Sequence, residues 1–480
     1  MLLAGIIAVA QEPDATYKLL REEWTVNADG TTDYHHRHEV AILRNRALTA
    51  YADKGETFVV YNPDFEEVAI NEVYTLQADG TRVEMPQNAY VYQLSSACAD
   101  CGRFNHLREL VMVHTGMEIG CTIVVDYTIH RRTGLLNQSL SLVRDCPIER
   151  LEIGINLPAD QTLTTQFTNP GVLAFNPEVE QTDHTYRLTA TDVPQAFVDS
   201  YLPSADQLYP TLRFLNGIPE YTPMADEAVF TSPETDALAA QGSTREKASA
   251  LRNYVVDHIH LNDLSPALTA YTRSTPETVW QTGCGTAADK AVLLSALLNG
   301  QGLEAHPIGD NLDEVGVMID SLEYRLTLRS KAPLALIGEA RDEVVSHKSK
   351  QSHPALKLDT LADGFFRLHL EPLQGPPAIN VRNLALSRTA PLQSSACDLD
   401  QTDTYTLPAG IKMESGTISR SLRFDNIGSV EIKIKQSGRK LTVARKLKLE
   451  SSVVAPSDYA AYRQLTALWQ QHTDLLLRKK

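Results

Sequence analysis

Apolar and polar residues alternate in short runs from Tyr17 to about Ile129, and the runs are separated by Asp-Gly pairs. This predicts strands joined by tight turns. Val26-Asn-Ala-Asp-Gly30-Thr and Leu76-Gln-Ala-Asp-Gly80-Thr each set Asp-Gly between alternating segments. That is the strongest short-range hairpin signal, because the turn needs dihedrals that Asp and Gly tolerate. Cys121, Ile123, Val125, Tyr127 and Ile129 fall on every second position and predict a half-buried strand. Leu151 to Pro158, Thr162 to Phe167 and Thr185 to Ala190 continue the pattern, so the N-terminal part reads as a β-sandwich of about 180 residues.

The period changes after a Pro-, Ser-, Thr- and acid-rich stretch at Tyr209 to Gly242. Ser243-Thr-Arg-Glu246 is a capping box, followed at helical spacing by Ala248, Leu251, Val255 and Ile259. Thr275-Pro276 opens a short helix through Trp280, and Thr286 caps a third from Ala287 to about Asn299, ended by Gly300. Its apolar stripe, Ala288, Val292, Leu293, Ala296 and Leu297, is broad enough to predict a central, buried helix. Strand-like segments follow at Gly302 to Ile308, Val315 to Ile319 and Tyr324 to Leu328, an α+β order. Residues 340–358 are polar and read as loop. A last β section spans Thr404 to Leu449, and Pro456-Ser-Asp458 starts a helix whose Tyr459, Tyr462, Leu465, Trp469 and Leu476 form one face for docking on the final sheet. The expected organisation is therefore multi-domain: an export-signal remnant at 1–10, a β-sandwich at 11–205, an α+β core at 206–385, and a β-sandwich-like domain with a terminal helix at 386–480.

Composition narrows the partners. The formal charge of the 480-residue chain is 44 − 60 = −16, which argues against a dedicated nucleic-acid surface, since phosphate binding needs clustered Lys and Arg. The apolar run Leu2 to Ala10 is too short to span a bilayer and, with Ala8-Val9-Ala10 as an A-x-A site, reads as the end of an export signal without its charged start. No other stretch reaches membrane length, so an exported, periplasmic or cell-envelope protein without a membrane span is expected. Six cysteines are too few for a disulfide scaffold. The close pair Cys98-Ala-Asp-Cys101 reads as a loop disulfide if the chain is exported and as two ordinary thiols if it is not, and it lacks the second pair a zinc site needs.

The candidate chemistry lies in Gly283-Cys-Gly-Thr-Ala-Ala-Asp-Lys-Ala291-Val-Leu-Leu, followed by Gly302-Leu-Glu-Ala-His-Pro. These residues resemble the core of the transglutaminase-like superfamily, with Arg273-Ser-Thr-Pro-Glu-Thr-Val-Trp280 where that family has its lead-in. The resemblance implies a papain-like α+β core bracketed by β domains of unassigned role, as in exported bacterial proteins. It also implies a Cys nucleophile at the N-terminus of the buried helix, where the helix end stabilises a thiolate, with a His base and an Asp or Asn orienting it. Aligning Asp289-Lys290-Ala291 with the family puts Ala287 in the nucleophile position, Cys284 where an aromatic residue belongs, and Thr286 where an Asp belongs. The base should follow on a strand, yet Asp313 to Arg329 contains no His. His306 comes early, His347 and His353 fall in the polar stretch, and Asp320 reads as a turn residue.

Two readings follow. The first is a degenerate, non-catalytic core that binds a protein, peptide or glycan or organises the envelope. The alternative is an active cysteine peptidase, amidase or transglutaminase-like hydrolase with Cys284 as nucleophile and His306 as base. A carbohydrate-binding array rests on the sandwiches alone. No cofactor or metal is expected: His36 and His38 share a strand face that reads as solvated and lack a third ligand, and His258 and His260 suit a helix C-terminus. No phosphate-binding loop, nucleophile elbow, HExxH or dinucleotide fingerprint is present.

Overall fold

The computed structural model describes residues 13–53, 57–95, 98, 100–240, 242–331, 334–337, 345–353, 356–370 and 383–479. The proposed export segment lies outside them. The chain divides into two compact units: residues up to Ala196 with Leu208–Glu339, and Phe197–Gln207 with Ala340–Lys480.

In the first unit, eight strands form one sheet in the order Glu178–Gln181, Thr185–Val193, Ile148–Asn156, Ala15–Val26, Thr32–Ile42, Thr122–Arg131, Glu66–Leu76 and Arg82–Glu84. All neighbours are antiparallel except Ala15–Val26 with Ile148–Asn156. Both Asp-Gly turns form as read: Gly30 (φ 82°) and Gly80 (φ 88°) close the hairpins after Val26 and Leu76. The strand Thr122–Arg131 differs from its reading. Ile123, Val124, Val125 and Asp126 are all buried, so both faces are covered. It lies in the interior of the sheet, where alternation in the sequence reflects side-chain size rather than exposure.

A three-stranded sheet, Thr164–Thr168, Thr211–Leu215 and Asn137–Ser141, packs on this layer, with the Phe214 and Trp24 ring centroids 4.9 Å apart. Thr211–Leu215 lies beyond the expected domain end at 205 yet pairs with N-terminal strands. A second three-stranded sheet contains Phe58–Tyr61, Arg108–Met112 and Tyr90–Leu94.

The helical part of the first unit forms as its local signals dictate. Ser243 and Glu246 cap Thr244–His258 reciprocally, and the Thr275 hydroxyl accepts from the Thr278 amide at the head of Pro276–Thr282. The central helix, Ala287–Gly300, buries every residue from Asp289 to Leu298. It packs in one core with Leu251, Val255, Val279, Val315, Val317 and Leu326. Each fully buried Leu there contributes roughly 1.5–3 kcal/mol. Beside it runs a four-stranded sheet, Ala305–Ile308, Glu314–Ile319, Leu322–Leu326 and Ala335–Leu336.

The second unit is a sandwich. Its five-stranded sheet runs Val345–His353, Cys397–Thr406, Lys440–Leu449, Gly428–Ser437, Ile418–Phe424. The opposing sheet runs Asp359–Thr360, Phe365–Leu370, Thr473–Lys479, Ile411–Met413. Ile432, Ile434, Leu441 and Val443 meet Leu368, Ile411, Leu475 and Leu477 across the core. Two expectations are corrected here. The polar stretch at 340–358 contains the strand Val345–His353, an edge strand held by pairing on one side and so free of apolar alternation. The helix ends at Trp469, and Leu476 sits on the strand Thr473–Lys479 with its side facing out. The spacing of seven from Trp469 mimics two helical turns, but burial of Leu475 and Leu477 fixes a period of two. Tyr459, Tyr462, Leu465 and Trp469 dock as expected, on Cys397, Val430, Leu447 and Leu449.

Candidate functional site at the head of the central helix

The chain enters the central helix through a tight lead-in. Gly283 ends the preceding helix at φ 64°, and Cys284–Gly285 pairs in parallel with His260–Leu261. Gly285 is required: a Cβ there would lie 2.8 Å from the Asp289 Cβ. Thr286 then caps the helix, its hydroxyl accepting from the Asp289 amide while Asp289 Oδ2 accepts from the Thr286 amide at 2.9 Å.

Asp289 holds the helix head together. Its Oδ1 accepts from the Ser274 amide at 2.7 Å and its Oδ2 from Arg103 Nη1 at 2.7 Å, all with the carboxylate buried. Burial alone pushes this carboxyl up, but the Arg103 charge and the hydrogen bonds outweigh it and hold it below its ordinary value. Lys290, also buried, donates from Nζ to the Ile259 carbonyl at 2.8 Å, and desolvation lowers its ammonium to about 8. The Asp-Lys pair of the motif is therefore structural, tying the helix to the segments before it.

Above the helix head opens a pocket lined by Asn137, Arg273, Thr286, Ala287, Ala288 and Asn311, among others. The first-turn amides of Ala287 and Ala288 have no intrahelical acceptor. Asn137 is buried, donates from Nδ2 to the Asp310 carbonyl at 2.6 Å and leaves Oδ1 without a partner. Arg273 donates from Nη2 to the Asn311 carbonyl at 2.7 Å and from Nη1 to the Tyr271 carbonyl, and its Nε is unpartnered. Both unpartnered atoms are themselves buried, so the groups the cavity presents at the helix head are the first-turn amides of Ala287 and Ala288. No His lines it.

The sequence-derived candidates are dispersed. Ala287 stands at the first helical position, as the motif register places it. Cys284 is buried and disulfide-bonded to Cys101, so the expected Cys98–Cys101 loop disulfide is not formed and Cys98 is a buried thiol. A short turn at Gly102–Phe104 and the buried Phe104 and Leu107 seat Cys101 against Cys284. His306 is largely exposed, approaches Glu323 at 3.4 Å, and lines a different pocket with Tyr221, Glu227 and Ser295. Among the described residues, Cys284 and His306 share neither a hydrogen bond nor a pocket. Asp320 sits at φ 52° in the turn between two strands, as read. His258 stacks on Tyr254 and bonds its carbonyl, while His260 is exposed. In the second unit, His347 is exposed on an edge strand and His353 contacts Asp403 at 3.1 Å.

His36 and His38 overturn the solvated-face expectation. Both are buried and joined Nε2 to Nδ1 at 2.9 Å, with His36 stacked on Tyr127 and 3.6 Å from Glu22. Burial, then the neighbouring His36, lowers His38 well below its ordinary range. Among the described residues no group of three metal-ligating side chains is assembled. Sequence reasoning also missed Arg103 and Asn137, which reach the site from over a hundred residues upstream and carry no local signal.

Comparison with known families matches this geometry. Residues 234–327 match the family model of the transglutaminase-like superfamily, residues 28–197 that of DUF3857 and residues 368–475 that of DUF3858, both domains of unknown function with solved structures. A transglutaminase-like segment thus lies between segments that match those two domains, in that order along the chain. Over nearly its full length it resembles a crystal structure from Parabacteroides distasonis described as "a putative protease": 24% identity, TM-score 0.76, 97% of this chain and 99% of that one. That likeness shows the shared fold. Comparison with curated proteins finds no match.

Proposed function

We propose that this chain is a non-catalytic transglutaminase-like protein, exported to the periplasm or cell envelope, that binds a peptide segment at the head of its central helix. The observation that carries the reading is Ala287 at the nucleophile position, facing a pocket that no imidazole lines. Acyl transfer through a thiolate needs both groups within hydrogen-bond reach. Binding needs neither. The first-turn amides of Ala287 and Ala288, which have no intrahelical acceptor, suit the carbonyl or terminal carboxylate of a peptide. The positive end of the helix favours the carbonyl or carboxylate there.

The neighbour described as a protease invites the enzymatic alternative, with Cys284 as its nucleophile. The Cys101–Cys284 bond and the separate placement of His306 speak against that in this redox state. The test is a library of random hexapeptides with free C-termini, incubated with the wild type and with Ala287→Trp, which fills the pocket. Retention by the wild type, weakened at least about ten-fold (1.4 kcal/mol) in the variant, is expected. Hydrolysis of those peptides that disappears in Cys284→Ala overturns the reading.

A further inference from the structure

Cys98, Cys101 and Cys284 sit in one buried cluster with Phe104 and Leu107, against which Leu264 packs. Among these three only Cys101 and Cys284 are bonded, and the Cys101 amide donates to the Cys98 carbonyl at 3.0 Å, so a tight turn holds Cys98 beside Cys101 within the same buried cluster. We propose that these three residues form an intramolecular thiol–disulfide exchange centre, which passes Cys101 from Cys284 to Cys98 and leaves Cys284 as a free thiol. The inference stands apart from the peptide-binding reading.

The step balances without an oxidant or reductant. The Cys98 thiol loses its proton, and its sulfur attacks Cys101 Sγ. The Cys98–Cys101 bond forms as the Cys101–Cys284 bond breaks, and Cys284 leaves as a thiolate that takes up a proton. The resident bond spans 183 residues of sequence and the new one spans three, so the unfolded chain closes the short loop more readily, whereas the folded chain holds the long link by packing Cys101 against Cys284. Burial pushes the Cys98 thiol up, which makes the attack slow at neutral pH and faster as pH rises. The thiol that exchange releases lies three residues before Ala287, next to the positive end of the central helix. A cross-link that looks purely structural therefore holds a latent thiol.

The experiment uses the full chain in its oxidised form. Wild type, Cys98→Ser and Cys98→Ala are incubated with excess iodoacetamide at about pH 8.5, near an ordinary thiol pKa, and disulfides and labels are mapped by mass spectrometry after digestion. The alanine variant keeps the site apolar should serine disturb the fold, and near-UV circular dichroism reports which variant is native. Expected for the wild type is a growing population with Cys98 linked to Cys101 and the label on Cys284. In the Cys98 variants, labelling of Cys284 should slow at least about ten-fold. Equal labelling rates in wild type and variants overturn the proposal. So does label accumulating on Cys98 with Cys101–Cys284 intact, or no label on Cys284 after prolonged incubation at higher pH.

Discussion

Arg103 and Asp289, 186 residues apart in sequence, meet at 2.7 Å, so the carboxylate that caps the central helix is neutralised by a side chain from the β-rich half of the unit. Replacing the carboxylate leaves Arg103 unpaired and costs the helix head a charge-assisted acceptor. Asp289→Asn should therefore destabilise the protein by about 2–3 kcal/mol, less than the roughly 3–5 kcal/mol of a fully buried pair because Arg103 keeps some solvent. The sign with pH follows from the lowered carboxyl. The contribution is present above the unfolded value near 3.8 and is lost as pH falls through the lower folded value. Urea unfolding of wild type and variant should show a gap that is constant from neutral to mildly acidic pH and closes in strong acid. A gap independent of pH would count against a charge-based role.

The Cys101–Cys284 bond spans 183 residues of sequence and ties the same two halves together covalently. In the chain-entropy account, removing such a link costs roughly 2–5 kcal/mol. Cys101→Ser should melt lower than the wild type, and reduced wild type should melt with the variant. Wild type whose melting is unmoved by a reductant that demonstrably cleaves the bond would show that the link adds nothing to stability.

These two contacts also mark where the sequence stops being legible. Features whose cause is local were readable: the Asp-Gly turns at Gly30 and Gly80, the caps at Ser243, Thr275 and Thr286, and the buried stripe of the central helix. Each depends on neighbours within about four residues. The pairing of Cys101 with Cys284 instead of Cys98 depends on which loops the fold brings together, and no spacing rule contains that. The pattern assigns His36 and His38 to solvent because polar residues usually face it, but Glu22 on the neighbouring strand and the Tyr127 ring supply partners that make burial tolerable. The edge strand Val345–His353 lacks an apolar face to read. At the helix head, Ala287 as the first helical residue is legible from the Thr286 cap, whereas the approach of Asn137 and Arg103 is not.

The buried histidines give the first unit an acid-sensitive core. His38 is held well below its ordinary range by burial and by His36, and burial lowers His114 to about 4. A histidine lowered in the folded state is neutral there while the unfolded chain takes up a proton, so stability is full above the unfolded value near 6.5 and declines as pH drops below it. Each such residue contributes a slope of up to about 1.4 kcal/mol per pH unit down to its folded value. His114→Gln, which keeps a hydrogen-bonding group near Thr75, should flatten the stability profile by about that slope between roughly pH 6 and 4. Chemical denaturation across that range checks it, and an unchanged slope would mean that His114 titrates normally in the folded chain.

Placing a thiol at the head of the central helix separates what a helix terminus does from what a base does. Ala287 occupies the first turn of the central helix and lines the pocket, so in Ala287→Cys the thiol sits at the positive end of the helix dipole. That position lowers a thiol, so the introduced cysteine should react with iodoacetamide at neutral pH at least about ten-fold faster than the buried Cys98, whose thiol burial pushes up. No imidazole lines the pocket to activate the nucleophile or protonate a leaving amine, and His306 is engaged near Glu323 in another cavity. The variant should therefore label quickly yet show no steady-state turnover of peptide or amide substrates. At most it should trap a reactive acyl group once per chain, because the thioester lacks a base to direct water onto it. Multiple turnovers by Ala287→Cys would show that a general base reaches the helix head from elsewhere in the fold.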